Sequence, residues 1–181
     1  RNAIIRTSPT CNVIGNSMTT VQTINWQTIM SYDLYFYKRK GRQLSENEIG
    51  DYLTNNLTPV NENGNQWVFE NEDTEVYFIL DHNEPEDDPE AIEMFENFSD
   101  FDNTHFTFNL NFLRPNFFGL EAFQFVEKFM ADLDLFVIDT QSADPDNPRK
   151  ILASEMLATW SKTNLTFSAD KFDEFGFTYI P

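Results

Sequence analysis

"HFTFNLNFL", residues 105–113, puts an apolar side chain at every second position: Phe106, Phe108, Leu110 and Phe112. Thr107, Asn109 and Asn111 fill the places between. Strand side chains alternate between faces, so this period predicts a strand with one face in a core. Such a strand belongs in a sheet covered on one side. "YDLYFY" (32–37) repeats the pattern with Tyr32, Leu34 and Phe36 inward. "QWVFE" (66–70) and "EVYFIL" (75–80) read as two strands of a hairpin, joined by a tight Asn71–Thr74 connection.

Helical signals lie between the strands. Ser45 and Glu48 form a capping box that opens a helix to about Asn56, with Ile49, Tyr52 and Leu53 inward. Pro59 and "NENGN" (61–65) read as a loop. "RPNFFG" (114–119) turns into a helix over 120–134 that buries Ala122, Phe123, Val126, Phe129, Met130 and Leu133. "LFVID" (135–139) reads as a short central strand. Asn147 and Pro148 start a last helix to about Lys162, with Leu152, Met156, Leu157 and Trp160 inward. The aromatic tail, from Phe167 through Phe172, Phe175 and Phe177 to Tyr179, is expected to pack back on the body. The resulting order is β-α-β-β-(acidic helix)-β-α-β-α. It predicts an α+β two-layer sandwich, a mixed or antiparallel sheet with helices, with a ferredoxin-like connectivity as one form.

A chain of 181 residues suits one domain, and 19 Phe supply bulky core material. Strand patterning begins at once after Met30, so Met30 reads as the biological start. Residues 1–29 are then a disordered leader and 30–181 a single domain. Cys11 is the only cysteine, which excludes a disulfide or thiolate metal site within one chain. The sequence has no apolar run of membrane-spanning length. A reducing, cytoplasmic setting without membrane contact is expected.

Charge is the other constraint. The net charge is −18, yet no Lys or Arg occurs from Gln43 to Leu113. That segment holds 18 of the 30 acids, and the 12 outside it balance the 12 bases. The whole imbalance therefore lies in one stretch of 71 residues. A charge run serves solubility or meets an oppositely charged partner. Within it, Asp88 can cap a short helix whose first residue is Pro89. At helical spacing Ala91, Ile92, Phe95 and Phe98 share one side, and Glu90, Glu93 and Glu96 the other.

Signatures of catalysis are missing. There is no Gly-rich phosphate loop and no GxSxG elbow. His82 and His105 flank the acidic loop without metal-ligand spacing, and read as solvated residues at strand ends. "DPDNP" (144–148) lacks the Gly a calcium loop requires. No cofactor and no dedicated metal site are expected, with weak calcium binding by the carboxylate loop 81–90 left as an alternative. Arg114 ends the stretch without cations and is expected to pair with Asp139 or Glu121.

With "MSYDLYFYKRK", "FLRPNFFGLEAFQFVEKF" and "LDLFVIDTQ" (30–40, 112–129 and 133–141), the chain resembles small acidic bacterial proteins of the polymorphic-toxin immunity type. The resemblance spans roughly Met30 to Trp160. It implies a non-enzymatic protein that neutralises a basic toxin domain, without binding nucleic acid directly. The partner-binding residues expected are Glu84, Glu86, Asp87, Asp88, Glu90, Glu93 and Glu96, with Phe98 and Phe101 as apolar anchors. Phe95 is a weaker anchor candidate, better read as packing. Two rivals stand beside this reading. One is a hydrolase with paired carboxylates in a cleft; the other is a nucleic-acid mimic whose carboxylates imitate phosphates.

Overall fold

The alternating segment forms β5 (Phe101–Asn111) and lies antiparallel beside β1 (Ser31–Arg39). This description rests on a computed structural model and covers residues 31–61, 64–85, 88–142 and 147–175, with backbone alone at 89–91 and 170–175. The expected leader over 1–29 lies outside the described residues, as do Glu86, Asp87, Phe177, Tyr179 and part of "DPDNP". Along the chain come α1 (Glu46–Asn56), β2 (Thr58–Pro59), β3 (Gln66–Asn71), β4 (Val76–His82) and α2 (Pro89–Phe95). After β5 follow α3 (Phe117–Asp132), β6 (Phe136–Asp139) and α4 (Ala153–Phe175).

The strands make one sheet in the order β2-β3-β4-β5-β1-β6, antiparallel at every pairing. β1 and β4 therefore run parallel with β5 between them, and β5 and β6 run parallel with β1 between them. These are two interlocked split βαβ units, the connectivity of a ferredoxin-like fold. β3 and the two-residue β2 extend it at one edge, where the sequence suggested only a loop around Pro59. Proline donates no ladder hydrogen bond, so an edge is where it fits.

One face of the sheet carries the main core. Tyr32, Leu34, Phe36, Phe78, Leu80, Phe106, Phe108 and Leu110 meet Ile49 and Leu53 of α1 and Ala122, Phe123, Val126 and Phe129 of α3. Alternation and the helical stripes place these residues inward as expected, apart from Phe78 and Leu80, for whose strand the sequence assigns no inward face. The Ser45–Glu48 capping box forms in both directions. The opposite face carries a smaller cluster of Tyr37, Phe136 and Ile138, packed by Tyr35, Phe98 and Phe101.

Other expectations are corrected. β6 is an edge strand, although all four of its residues are buried. Its apolar run reads as central because both faces are covered, and the Val137–Arg149 bridge shields its free edge. β5 starts four residues before the alternating stretch, because a bulge interrupts it. Tyr35 faces Thr107 but Tyr37 faces Asn103, and His105 takes φ 60°. The extra residues break the period of two without ending the pairing. α4 starts at Ala153, leaves Leu152 exposed and runs beyond Lys162. Asn164, fully buried, holds it there: its side chain accepts from Leu113 N (2.6 Å) and donates to Arg114 O (2.7 Å). Phe167 stacks on Phe112, so the described start of the aromatic tail does pack on the body.

Candidate functional site

The acidic segment runs through α1, the β3–β4 hairpin, α2 and the start of β5. Its exposed carboxylates include Glu46, Glu48 and Asp51 on α1 and Glu70, Glu72, Asp73 and Glu75 at the hairpin. Glu84, Asp88, Glu93 and Asp100 are exposed further along. Among the described residues, the ion pairs made by Lys or Arg take Asp132, Asp134 and Glu155, all outside 43–113. Lys38 stands opposite Asp102 in the ladder, yet its ammonium donates to the Leu44 carbonyl (2.7 Å). Within the segment, hydrogen bonds from Ser45 and then the nearby Arg42 and Lys38 hold the Glu48 carboxyl below its usual range.

α2 sits on the second face of the sheet and is held by aromatics. Phe95 stacks on Tyr35 at 4.4 Å between centroids, and Tyr37 Oη donates to Phe95 O (3.0 Å). Asp88 O accepts from Ile92 N (2.9 Å), so the helix starts where the sequence placed it. Of its three expected outward acids, Glu93 is exposed, and only the backbone of Glu90 is described. Glu96 departs from expectation. It lies past the end of α2 and turns toward the sheet, accepting from Asn103 Nδ2 (2.8 Å) and standing 3.7 Å from His105 Nδ1. Phe98 packs edge-on against Tyr37, and Phe101 against Phe136 beneath the Arg39 guanidinium. Both are half-buried in the small cluster, so packing accounts for most of their surface.

Neither histidine is a freely solvated strand end. His82 stacks on Phe106 at 4.4 Å and lies 3.8 Å from Glu46; His105 forms part of the bulge. Arg114 does not pair with Asp139 or Glu121. It hydrogen-bonds Tyr77 Oη and lies over the Tyr77 ring at 5.0 Å. Glu121 instead accepts from Asn71 and Thr74 of the hairpin. Among the described residues no cluster of three His, Cys, Asp or Glu could hold a metal ion.

Two carboxyls are shifted: Asp33, which sequence reasoning did not single out, and Asp139, which it named only as a partner for Arg114. Burial pushes the Asp33 carboxyl up, opposed by hydrogen bonds from Ser31 and Asn109. Burial also pushes up Asp139, 3% exposed, although Tyr32 Oη (2.5 Å) and Gln141 N (2.9 Å) donate to it. Asp33 shares the polar face with Asn109, whereas Asp139 lies opposite Leu34 on the core face. They therefore do not form the acid pair a glycosidase requires.

Asp139 sets a pH dependence. Its folded pKa lies above the ordinary 3.8, so the stability it contributes is complete below that value. The contribution is lost as pH rises through the raised folded value. Asp139→Asn does not titrate. Its stability relative to the wild type should therefore grow as pH rises from 3 through that window. Urea unfolding at pH 3, 5 and 7 measures this, and a constant difference would show that Asp139 titrates normally.

A cleft of about 310 Å³ opens between α1 and the sheet. Glu46, Asn47, Gly50, Asp51 and Thr54 line it from α1, with Trp67, His82 and Phe106 opposite. The α1 positions recur at helical spacing, so one polar stripe faces the cleft. The signal was legible as polar residues around a mid-helix glycine, but not which strands would close the other side.

The fold and surface define a class: an α+β sheet protein, ferredoxin-like in connectivity, with one segment free of Lys and Arg, 43–113, that puts exposed acids on both faces of the sheet. Comparison with protein-family models, curated proteins and solved structures finds no match. Among the described residues no helix is long and apolar enough to cross a membrane.

Proposed function

We propose that this chain is a non-enzymatic acidic binding protein of the immunity or inhibitor class, which neutralises a basic protein partner by surface complementarity. One observation carries the reading. The described carboxylates of 43–113 are largely exposed, while the Lys and Arg ion pairs of the described residues draw on acids elsewhere. Such a field costs some stability through self-repulsion. A partner bearing Lys and Arg offsets that cost, and complementary fields speed encounter and exclude wrong partners. A toxin domain with a basic surface is the partner of this reading.

The test is capture on the immobilised chain at low salt from the source cell, with elution by salt. The eluted protein should be basic and should arrest growth when expressed alone. Co-expression of this chain should restore growth, and purified components should neutralise at one to one. Neutralisation far below one equivalent would instead indicate catalysis on the partner. Capture of no basic protein would remove the basis of the proposal.

A further inference from the structure

The geometry points to the cleft between α1 and the sheet as a receptor for one arginine side chain of the basic protein partner. The inference deepens the proposed function and rests on it. At about 310 Å³ the cleft lies at the lower end of the range of small-molecule pockets. Glu46 and Asp51 line it from the helix, and both are exposed. A guanidinium carries five donors in a planar fork suited to carboxylates and amide oxygens. Asn47 adds a side-chain amide to the lining, while Asn65 Oδ1 already accepts from Asn61 Nδ2 (2.6 Å). Opposite, the half-buried His82 ring lies 3.8 Å from Glu46 and stacks on the buried Phe106, with 15° between ring planes. Guanidinium planes stack on such rings, whereas an ammonium gains less from them.

Gly50 is an independent observation. Glycine inside a helix is unfavourable relative to alanine, so its place in α1 needs a reason. Packing supplies none. A Cβ at Gly50 would meet Trp67 at 3.6 Å, ordinary contact. At Gly119 of α3, by contrast, it would meet Leu157 at 2.8 Å and Trp160 at 3.0 Å. Gly119 permits the close approach of α3 and α4; Gly50 keeps the floor of the cleft open. Tight protein complexes need a few buried anchors, and arginine is among the commonest. An anchor here would complement the diffuse attraction of the acids exposed on α1 around it.

The probe is N-acetyl-L-argininamide, titrated into the whole chain and followed by the NMR signals of Gly50, Asn65 and His82. Saturable shifts are expected, with a Kd on the order of 1 mM for a ligand of this size. N-acetyl-L-citrullinamide, the same shape without the charge, should leave these signals in place. Glu46→Gln with Asp51→Asn should weaken binding at least tenfold. Gly50→Ala should raise Tm by roughly 1–4 °C, as removing a helix glycine does, yet lose most of the binding. Equal shifts with citrullinamide, or undiminished binding by Gly50→Ala, would overturn the assignment. So would tighter binding of free L-arginine, which marks a small-molecule site. The probe needs no partner protein, so failure here leaves the neutralisation test untouched. Success here with failed neutralisation would count against the proposed function alone.

Discussion

Phe108→Asp should abolish cooperative folding. Phe108 is fully buried at the centre of the sheet, with Phe78 at 5.5 Å and Phe123 at 5.9 Å between ring centroids. Removing a ring from such a place costs ~3–5 kcal/mol. The new carboxylate adds the cost of a buried, unpaired polar group, ~2–7 kcal/mol even when it takes up a proton. Together these approach or exceed the ~5–15 kcal/mol that holds a typical domain folded. Thr107→Ala, on the polar face beside it, should cost less than ~1.5 kcal/mol, about one hydrogen bond. Asn109→Asp is a poorer control, since Asn109 Nδ2 donates to Asp33 (2.6 Å) and the change would set two carboxylates together. Circular dichroism through a thermal ramp separates the cases. A cooperative melt for Phe108→Asp near the wild-type Tm would mean the strand's inward face is wrongly assigned.

The second large effect concerns association. Glu84→Lys with Glu93→Lys reverses two exposed charges of the acidic segment. Asp88 is left intact because α2 begins there, and Glu96 because Asn103 holds it. Folding should survive, with stability within about 0.5 kcal/mol of the wild type, as for most surface changes. Partner association should slow roughly tenfold or more at low salt, with a smaller change in the off-rate. Added salt should slow the wild type toward the mutant, because exposed charges are screened over about 8 Å at physiological ionic strength. Stopped-flow association at several salt concentrations measures both. An on-rate that neither salt nor the double change alters would make the acidic segment a solubility device.

Much of the fold was legible locally. The period of two marked the inward faces of β1 and β5, and the Ser45–Glu48 box opened α1 where it does. Those signals lie within a few residues of chain, and side-chain direction follows directly from them. The charge imbalance of the acidic segment was equally legible, because composition alone states it.

Pairing across the chain was not. Which carboxylate or ring meets Arg114 depends on how β4 and β5 lie together, and the sheet brings it Tyr77. Glu96 reads as outward if α2 continues to it; the chain leaves the helix at Phe95, and Asn103 beyond the turn takes the carboxylate inward. β6 reads as central because buried strands look alike from sequence, and only the ladder puts it at an edge. The α1 cleft is the strongest instance. Its helical stripe was present in the sequence, but its opposite wall of Trp67, His82 and Phe106 arrives from three different strands. Local sequence determined most elements and their apolar faces, though not β2 or the starts of β5 and α4, because backbone geometry ties direction to neighbours along the chain. Tertiary structure alone decided which polar groups converge, because that depends on strand order and register between segments far apart in sequence.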